Sequence, residues 1–317
     1  MLKVAIVGMG GISQCHLDAW LEIPEVKVTA ICDIRPEQLI TPRERTQANC
    51  YTSFDEMLSA ETIDILDVCL PTYLHADFAV KALEHGLHVL IEKPISLKLE
   101  DVERIYSAAK HSGKKVMVAQ VLRFWKEYAL LREIYRSKKY GELLSGSMSR
   151  LGAMPGWSWD GWMQDEKRSG LVPFDLHIHD IDFVVAAFGI PKDYHSHRAK
   201  GEGQDYLKAI YQYDNFFISC EASWYVGDYN FNVSYRFQFE KAVVEYSNNE
   251  VTIYEKDGKA QAIENMEDGK DLGINLPSTG AYYNEIRYFT DCVLNNTDTD
   301  MVPKEELQAV LKILKSL

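Results

Sequence analysis

The chain has 317 residues, 46% of them hydrophobic and 26% charged, which is enough apolar content for real cores and too much for disorder. Its formal net charge of −13 excludes the basic footprint that a nucleic-acid or anionic-membrane partner requires. That length suits two domains, and no stretch approaches the roughly 20 apolar residues of a membrane span.

The chain opens on "MLKVAIVGMGG", without a basic leader, long apolar segment or small-residue cleavage site, so no signal peptide is expected. Up to Arg123, short apolar segments alternate with amphipathic ones. "KVAIVG", "VKVTAICD", "IDILDVCLP", "HVLIEKP" and "KVMVAQV" have the composition of buried strands. "SQCHLDAWLEI", "HADFAVKALEHG" and "LEDVERIYSAAKHSG" have helical spacing, and two of them close on glycine. This alternation predicts an α/β domain over 1–123, with a doubly wound parallel sheet.

After the helical "EYALLREIYRSKKYGE" the chain turns aromatic and strand-like from Leu144, interrupted by a helix-like stretch from Phe174 to Phe188. Phe231, Val233, Tyr235, Phe237 and Phe239 alternate with Asn232, Ser234, Arg236 and Gln238. That period of two marks an antiparallel strand with one apolar and one polar face. With its neighbours it predicts a second α/β (α+β) domain over 124–317, built on a large, open, mostly antiparallel sheet. "YYNEIRYFTDCVLNN" and "PKEELQAVLKILKSL" read as closing helices, the C-terminal one able to pack back on the first domain. The six cysteines are scattered with no C-x-x-C pair, as expected of reduced, buried thiols in a cytoplasmic protein.

Gly8, Met9, Gly10, Gly11, Ile12 and Ser13 lie between the first strand and the first helix. Gly8 permits a tight turn and Gly10 lets the backbone approach a pyrophosphate at the helix N-terminus, with Ser13 in the third, small position. Asp33 ends the second strand, where a carboxylate accepts the adenosine ribose hydroxyls and repels a 2′-phosphate. This favours NAD over NADP, while Arg35 offers a guanidinium to such a phosphate and works against that preference.

Glu92, Lys93 and Pro94 follow a strand at the end where open α/β sheets bind ligands, and Pro94 is a candidate cis residue. A lysine there takes the proton of a substrate hydroxyl as hydride leaves the carbon; a salt-bridged surface lysine is the alternative. "GLVPFDLHIHDID", from Gly170 to Asp182, packs two histidines and three aspartates into its last eight residues. It is a metal site, an acid–base pair or a polar helix. On a helix Asp175 and His179 share one face, with Asp182 three residues on, and His177 projects away. Zinc would want both histidines on one face. The expectation is therefore an Asp175–His179 pair and no metal, with polar capping still open.

Through "VAIVGMGGIS", "CLPTYLHADFAVKALEHGLHVLIEKPIS", "VLRF", "DLHIHDID" and "YYNEIRYF" the chain resembles the family of glucose-fructose oxidoreductase and myo-inositol dehydrogenase (Gfo/Idh/MocA). The resemblance implies a Rossmann domain, a second domain on an open sheet, and a homodimer or homotetramer joined through that sheet. It implies hydride transfer between NAD(P) and a secondary alcohol or carbonyl of a sugar, inositol or related polyol. Lys93 matches the catalytic lysine, and Asp175 and His179 match the family's aspartate and histidine. His177 stands where many members have glycine, so it narrows the substrate pocket or has no effect.

Pro71, Thr72 and His75 resemble the loop bordering the cofactor, although His75 could instead cap the next helix. Arg123 reaches the cleft or makes an interdomain salt bridge. Trp157, Trp159 and Trp162 offer an apolar wall for a sugar, with core packing the reading for at least one of them. Tyr282, which with Glu285 and Phe289 matches a family helix, and Tyr283 offer hydroxyls to the substrate. Two alternatives stand beside the dehydrogenase: an NAD-dependent glycoside hydrolase of the same fold, and a non-catalytic NAD(P) or sugar sensor.

Overall fold

The computed structural model describes residues 1–258, 260–263 and 280–317. The chain forms two compact units, Met1–Val121 with Ala281–Gln308 and Leu122–Gly280 with Ala309–Leu317.

In the first unit β1 (Leu2–Val7), β2 (Val26–Cys32), β3 (Asn49–Tyr51), β4 (Ile65–Val68), β5 (His88–Glu92) and β6 (Val116–Ala119) make one parallel sheet. Its order is β3-β2-β1-β4-β5-β6, reversing between β1 and β4, the place where such sheets open a crevice for ligands. Every residue of β4 and of β6 is buried, as strands covered on both faces must be. The crossovers carry α1 (Gly11–Glu22), α2 (Ile40–Thr46), α3 (Phe54–Ala60), α4 (His75–Glu84) and α5 (Leu99–Ser112). Gly113 closes α5 in the left-handed conformation at φ 67°, as its position predicts. Edge strand β3 has three residues and α2 and α3 seven each, too short to leave a periodic signal.

The second unit contains α6 (Lys126–Ser137), β7 (Leu143–Ala153), α7 (Glu166–Ser169) and a π-helical turn, Pro173–His177, that runs into α8 (Ile178–Phe188). Then follow β8 (Asp193–Gly201), β9 (Gln204–Gln212), β10 (Phe217–Tyr225), β11 (Asn232–Phe239), β12 (Ala242–Ser247), β13 (Glu250–Glu255) and β14 (Gln261–Ile263). The sheet order is β14-β13-β12-β11-β7-β10-β9-β8, antiparallel except where β7 meets β10. β11 buries Val233, Tyr235, Phe237 and Phe239 and exposes Asn232, Arg236 and Gln238, following its alternation. The buried face packs on α6 and α8 through aromatic edges, with Tyr128 4.9 Å from Phe183 and 5.3 Å from Tyr235.

From Ala281 the chain rejoins the first unit with α9 (Ala281–Asn295), and the division between units falls within α10 (Lys304–Leu314). A second domain running unbroken over 124–317 therefore gives way to an interrupted one. Tyr282 lies 5.9 Å from the His16 ring on α1, Arg287 pairs with Glu25 at 2.6 Å, and Ile286 and Phe289 are fully buried. Periodicity marks α9 as amphipathic without saying which sheet takes its apolar face. Among the described residues no helix is long and apolar enough to cross a membrane.

Candidate active site

Because the first sheet is parallel, the C-terminal ends of β1, β2, β4 and β5 share one edge. Gly8 leaves β1 at φ +87°, and a Cβ there would lie 2.5 Å from the Cys69 carbonyl oxygen, so the turn requires glycine. A Cβ on Gly10 or Gly11 would meet nothing within 4 Å, leaving open space before α1. The N-terminus of α1 has no side-chain cap and no acid in its first turn, so its amides and positive dipole end are left for an anion. Buried Ser13 donates to the Gly10 carbonyl at 2.7 Å and closes this turn, with half-buried Ile12 beside it.

Asp33 accepts the Met9 amide at 2.8 Å and the Arg35 amide at 2.9 Å. The Arg35 guanidinium grips both of its oxygens at 3.1 Å. Arg35 is thus the counter-ion of Asp33. An open glycine turn, an uncapped helix end and a carboxylate at the tip of β2 fit the pyrophosphate and ribose of a dinucleotide.

Around the next two strand ends the residues play different parts. Pro71 opens a short turn over Thr72–Leu74, and Thr72 is buried in it. His75 is buried, with Nδ1 2.7 Å from the Pro94 oxygen and Nε2 2.7 Å from the Leu70 oxygen. It clamps the loop after β4 to the loop after β5. Burial holds its pKa below the usual value. The Lys93–Pro94 bond is cis. Across residues 89–96 Lys93 alone is not buried.

Glu92, beside it, belongs to a buried network that sequence reasoning missed. His16 on α1 lies 2.9 Å from Asp67 through Nδ1 and 2.9 Å from Glu92 through Nε2, and Trp20 donates to Asp67 at 2.7 Å. The available signal was Asp67 itself, since an acid in the middle of a fully buried strand demands partners.

In the second unit the acid-rich segment resolves residue by residue. From Leu171 to Asp180 only Asp175 and His179, four apart, are not buried. Asp180 pairs with Arg150 of β7 at 2.9 Å, and Arg150 also reaches the Tyr128 hydroxyl at 3.3 Å. Asp182 binds Arg123 at 2.6 and 2.8 Å with both side chains buried, so Asp182 does not extend the open face. Arg123 makes this ion pair inside the second unit, where both residues lie, and is buried.

His177 is held in place by Tyr211. It is fully buried, stacked on Tyr211 and bonded to that hydroxyl at 2.5 Å. Burial, aided by Arg150, pushes its pKa down to about 3. Trp162 packs against a core cluster that includes Met163, Leu171 and Trp224, whereas Trp157 is 74% and Trp159 41% exposed. Tyr282 and half-buried Tyr283 sit on α9 in the first unit.

Comparison with known proteins bears on both units. A family model described as "Oxidoreductase family, NAD-binding Rossmann fold" matches residues 2–120, and that of the GFO/IDH/MocA C-terminal domain matches 128–245. A glycosyl hydrolase family 109 protein of Shewanella sp. (strain W3-18-1) is 27% identical over 156 residues, covering 46% of this chain and 34% of that protein. The match spans about a third of that relative's length. The structure of levoglucosan dehydrogenase with NADH and levoglucosan is similar at TM-score 0.84 and 17% identity, over 99% of this chain and 95% of that one. That of apo scyllo-inositol dehydrogenase from Lactobacillus casei is similar at TM-score 0.78 and 20% identity, over 100% and 95%.

Proposed function

The chain belongs to the GFO/IDH/MocA family of NAD-binding oxidoreductases, and on that premise we propose that it oxidises or reduces a secondary alcohol or carbonyl of a sugar, inositol or related polyol. The observation that carries this reading is confined to one edge of one sheet. There the open glycine turn, Asp33 and the single unburied residue of the β5 end, Lys93, come together. Bound NAD supplies the hydride acceptor, or NADH the donor. Lys93 takes the hydroxyl proton in oxidation and returns it in reduction. On the second unit, Asp175 and His179 lie four apart and are the unburied pair of their segment, which supports an acid–base pair in which Asp175 orients His179. The levoglucosan and scyllo-inositol enzymes among similar structures support the substrate class.

Asp33 favours NAD over NADP, and no metal takes part. The assembly is a homodimer or homotetramer, and the six free thiols support a cytoplasmic location. Purified protein should turn over at least one compound of a panel of inositols and sugars with NAD⁺. Lys93→Met should then lose about 10²-fold or more in turnover while still binding NADH, and near-wild-type turnover would remove the lysine from the mechanism. His179→Ala should fall comparably.

The glycosyl hydrolase relatives favour a second reading, an NAD-using glycosidase. Hydrolysis of a nitrophenyl glycoside with tightly held cofactor and no net change in nicotinamide absorbance would establish it.

A further inference from the structure

We propose that His16 is a positioning residue for Lys93: by bridging Asp67 and Glu92 it holds the Glu92 carboxylate where that group accepts the lysine's backbone N–H. This rests on the reading of Lys93 as the proton-transferring group.

The links are short and lie within one unit. His16 is fully buried on α1, the helix whose N-terminus forms the nucleotide turn. Its Nδ1 lies 2.9 Å from Asp67 Oδ2 on β4, and its Nε2 lies 2.9 Å from Glu92 Oε1 at the end of β5. Trp20, one turn further along α1, donates to the same Asp67 oxygen at 2.7 Å. The second oxygen of Glu92 accepts the Lys93 amide at 2.9 Å. A run of hydrogen bonds therefore joins the nucleotide-binding helix to the backbone of the lysine.

Both imidazole nitrogens face carboxylates, an arrangement that is fully satisfied when both donate, as an imidazolium does. The groups facing it are Asp67 and Cys69 from β4 and the residue after it, Glu92 from β5, the Tyr282 ring from α9 and neighbouring Cys15. Burial is the largest influence and opposes the charge, but Asp67 and Cys69 together outweigh it and hold the His16 pKa well above its usual value. Burial pushes the Cys15 and Cys69 thiols up. His16, Asp67 and Cys69 are also metal-ligand types lying close together. Here the Asp67 oxygens already accept from His16 and Trp20, which leaves a protonated bridge as the arrangement that satisfies all three. A small displacement of a reacting group costs up to about 10²-fold in rate, so a bridge of this kind acts on turnover through geometry.

Two substitutions separate the two halves of the bridge. In His16→Gln the side-chain amide replaces Nε2 and still reaches Glu92; in His16→Asn it replaces Nδ1 and reaches only Asp67. Amide hydrogen exchange read by NMR should show Lys93 N–H protection falling about tenfold in His16→Asn and staying within about threefold of wild type in His16→Gln, with Ile6 and Val89 unchanged in both. Turnover on the responsive panel compound should fall about 10–100-fold in His16→Asn and largely recover in His16→Gln, while NADH affinity stays within about threefold. Nitrogen spectra of His16 in the wild type should show both ring nitrogens protonated at mildly alkaline pH.

Unchanged Lys93 protection in His16→Asn, or an equal loss of protection throughout both variants, overturns the proposal. So does stoichiometric bound metal. If Lys93→Met remains fully active while His16→Asn still frees the Lys93 amide, the catalytic reading fails and the bridge stands.

Discussion

Asp33 shows how much one side chain decides. Its carboxylate receives the Met9 amide of the glycine turn and holds the Arg35 guanidinium by both oxygens, so an approaching ribose meets a neutralised pair. In Asp33→Ser the guanidinium is released and can turn to a 2′-phosphate. Preference should then shift toward NADP(H) by about 10–100-fold, the value of a charge-assisted bond of roughly 1.5–3 kcal/mol. Fluorescence titration of both cofactors measures it, and tighter NADP(H) binding by wild type would mean Arg35 already governs. His177 makes a different claim. Burial takes its pKa to about 3 in the folded chain, against about 6.5 when unfolded. As pH falls from about 6.5 toward 3 the unfolded chain takes up a proton that the folded chain refuses, so stability drops across that window. His177→Gln should flatten this part of the Tm-against-pH curve. An unchanged slope would show the ring to be hydrated in solution.

At the scale of an element, the stretch from Phe174 to Phe188 was legible as a helix and as chemically charged, but its aspartates divide by what lies opposite. Asp180 and Asp182 face arginines from β7 and the turn before α6, and Asp175 is only half-buried. Local sequence cannot make that division, because the partners are 30 and 59 residues away. A signal did exist in Arg150, an arginine at a buried position of a strand. Arg150→Met should leave Asp180 buried without its counter-ion and cost about 3–5 kcal/mol, read as a lower urea midpoint of the second unit. Arg150→Met with Asp180→Leu should restore most of it. A double variant as weak as the single one would mean that the pair itself, rather than the orphaned charge, supplies the stability.

For the whole molecule, the second sheet carries four small, half-buried serines, Ser147, Ser149, Ser219 and Ser234, beside two ion pairs, Lys208 with Glu221 at 3.2 Å and Arg236 with Glu245 at 2.8 Å. Small side chains and paired charges suit contact with a second copy of this chain. Light scattering at micromolar protein should give two or four times 36.3 kDa; a monomer mass would rule this out. The sequence by itself determined the two sheets, the glycine turn, Asp33, the Glu92-Lys93-Pro94 element and the Asp175–His179 spacing. Each of these is written in adjacent residues, through strand composition, a period of two or four, or a turn that needs glycine. Only the tertiary structure decided that α9 serves the first unit, that His177 and Arg123 are interior, and that His16 joins Asp67 to Glu92. Those outcomes depend on which buried charge meets which partner across long stretches of chain, and burial makes that pairing energetically decisive while leaving no periodic mark in the sequence.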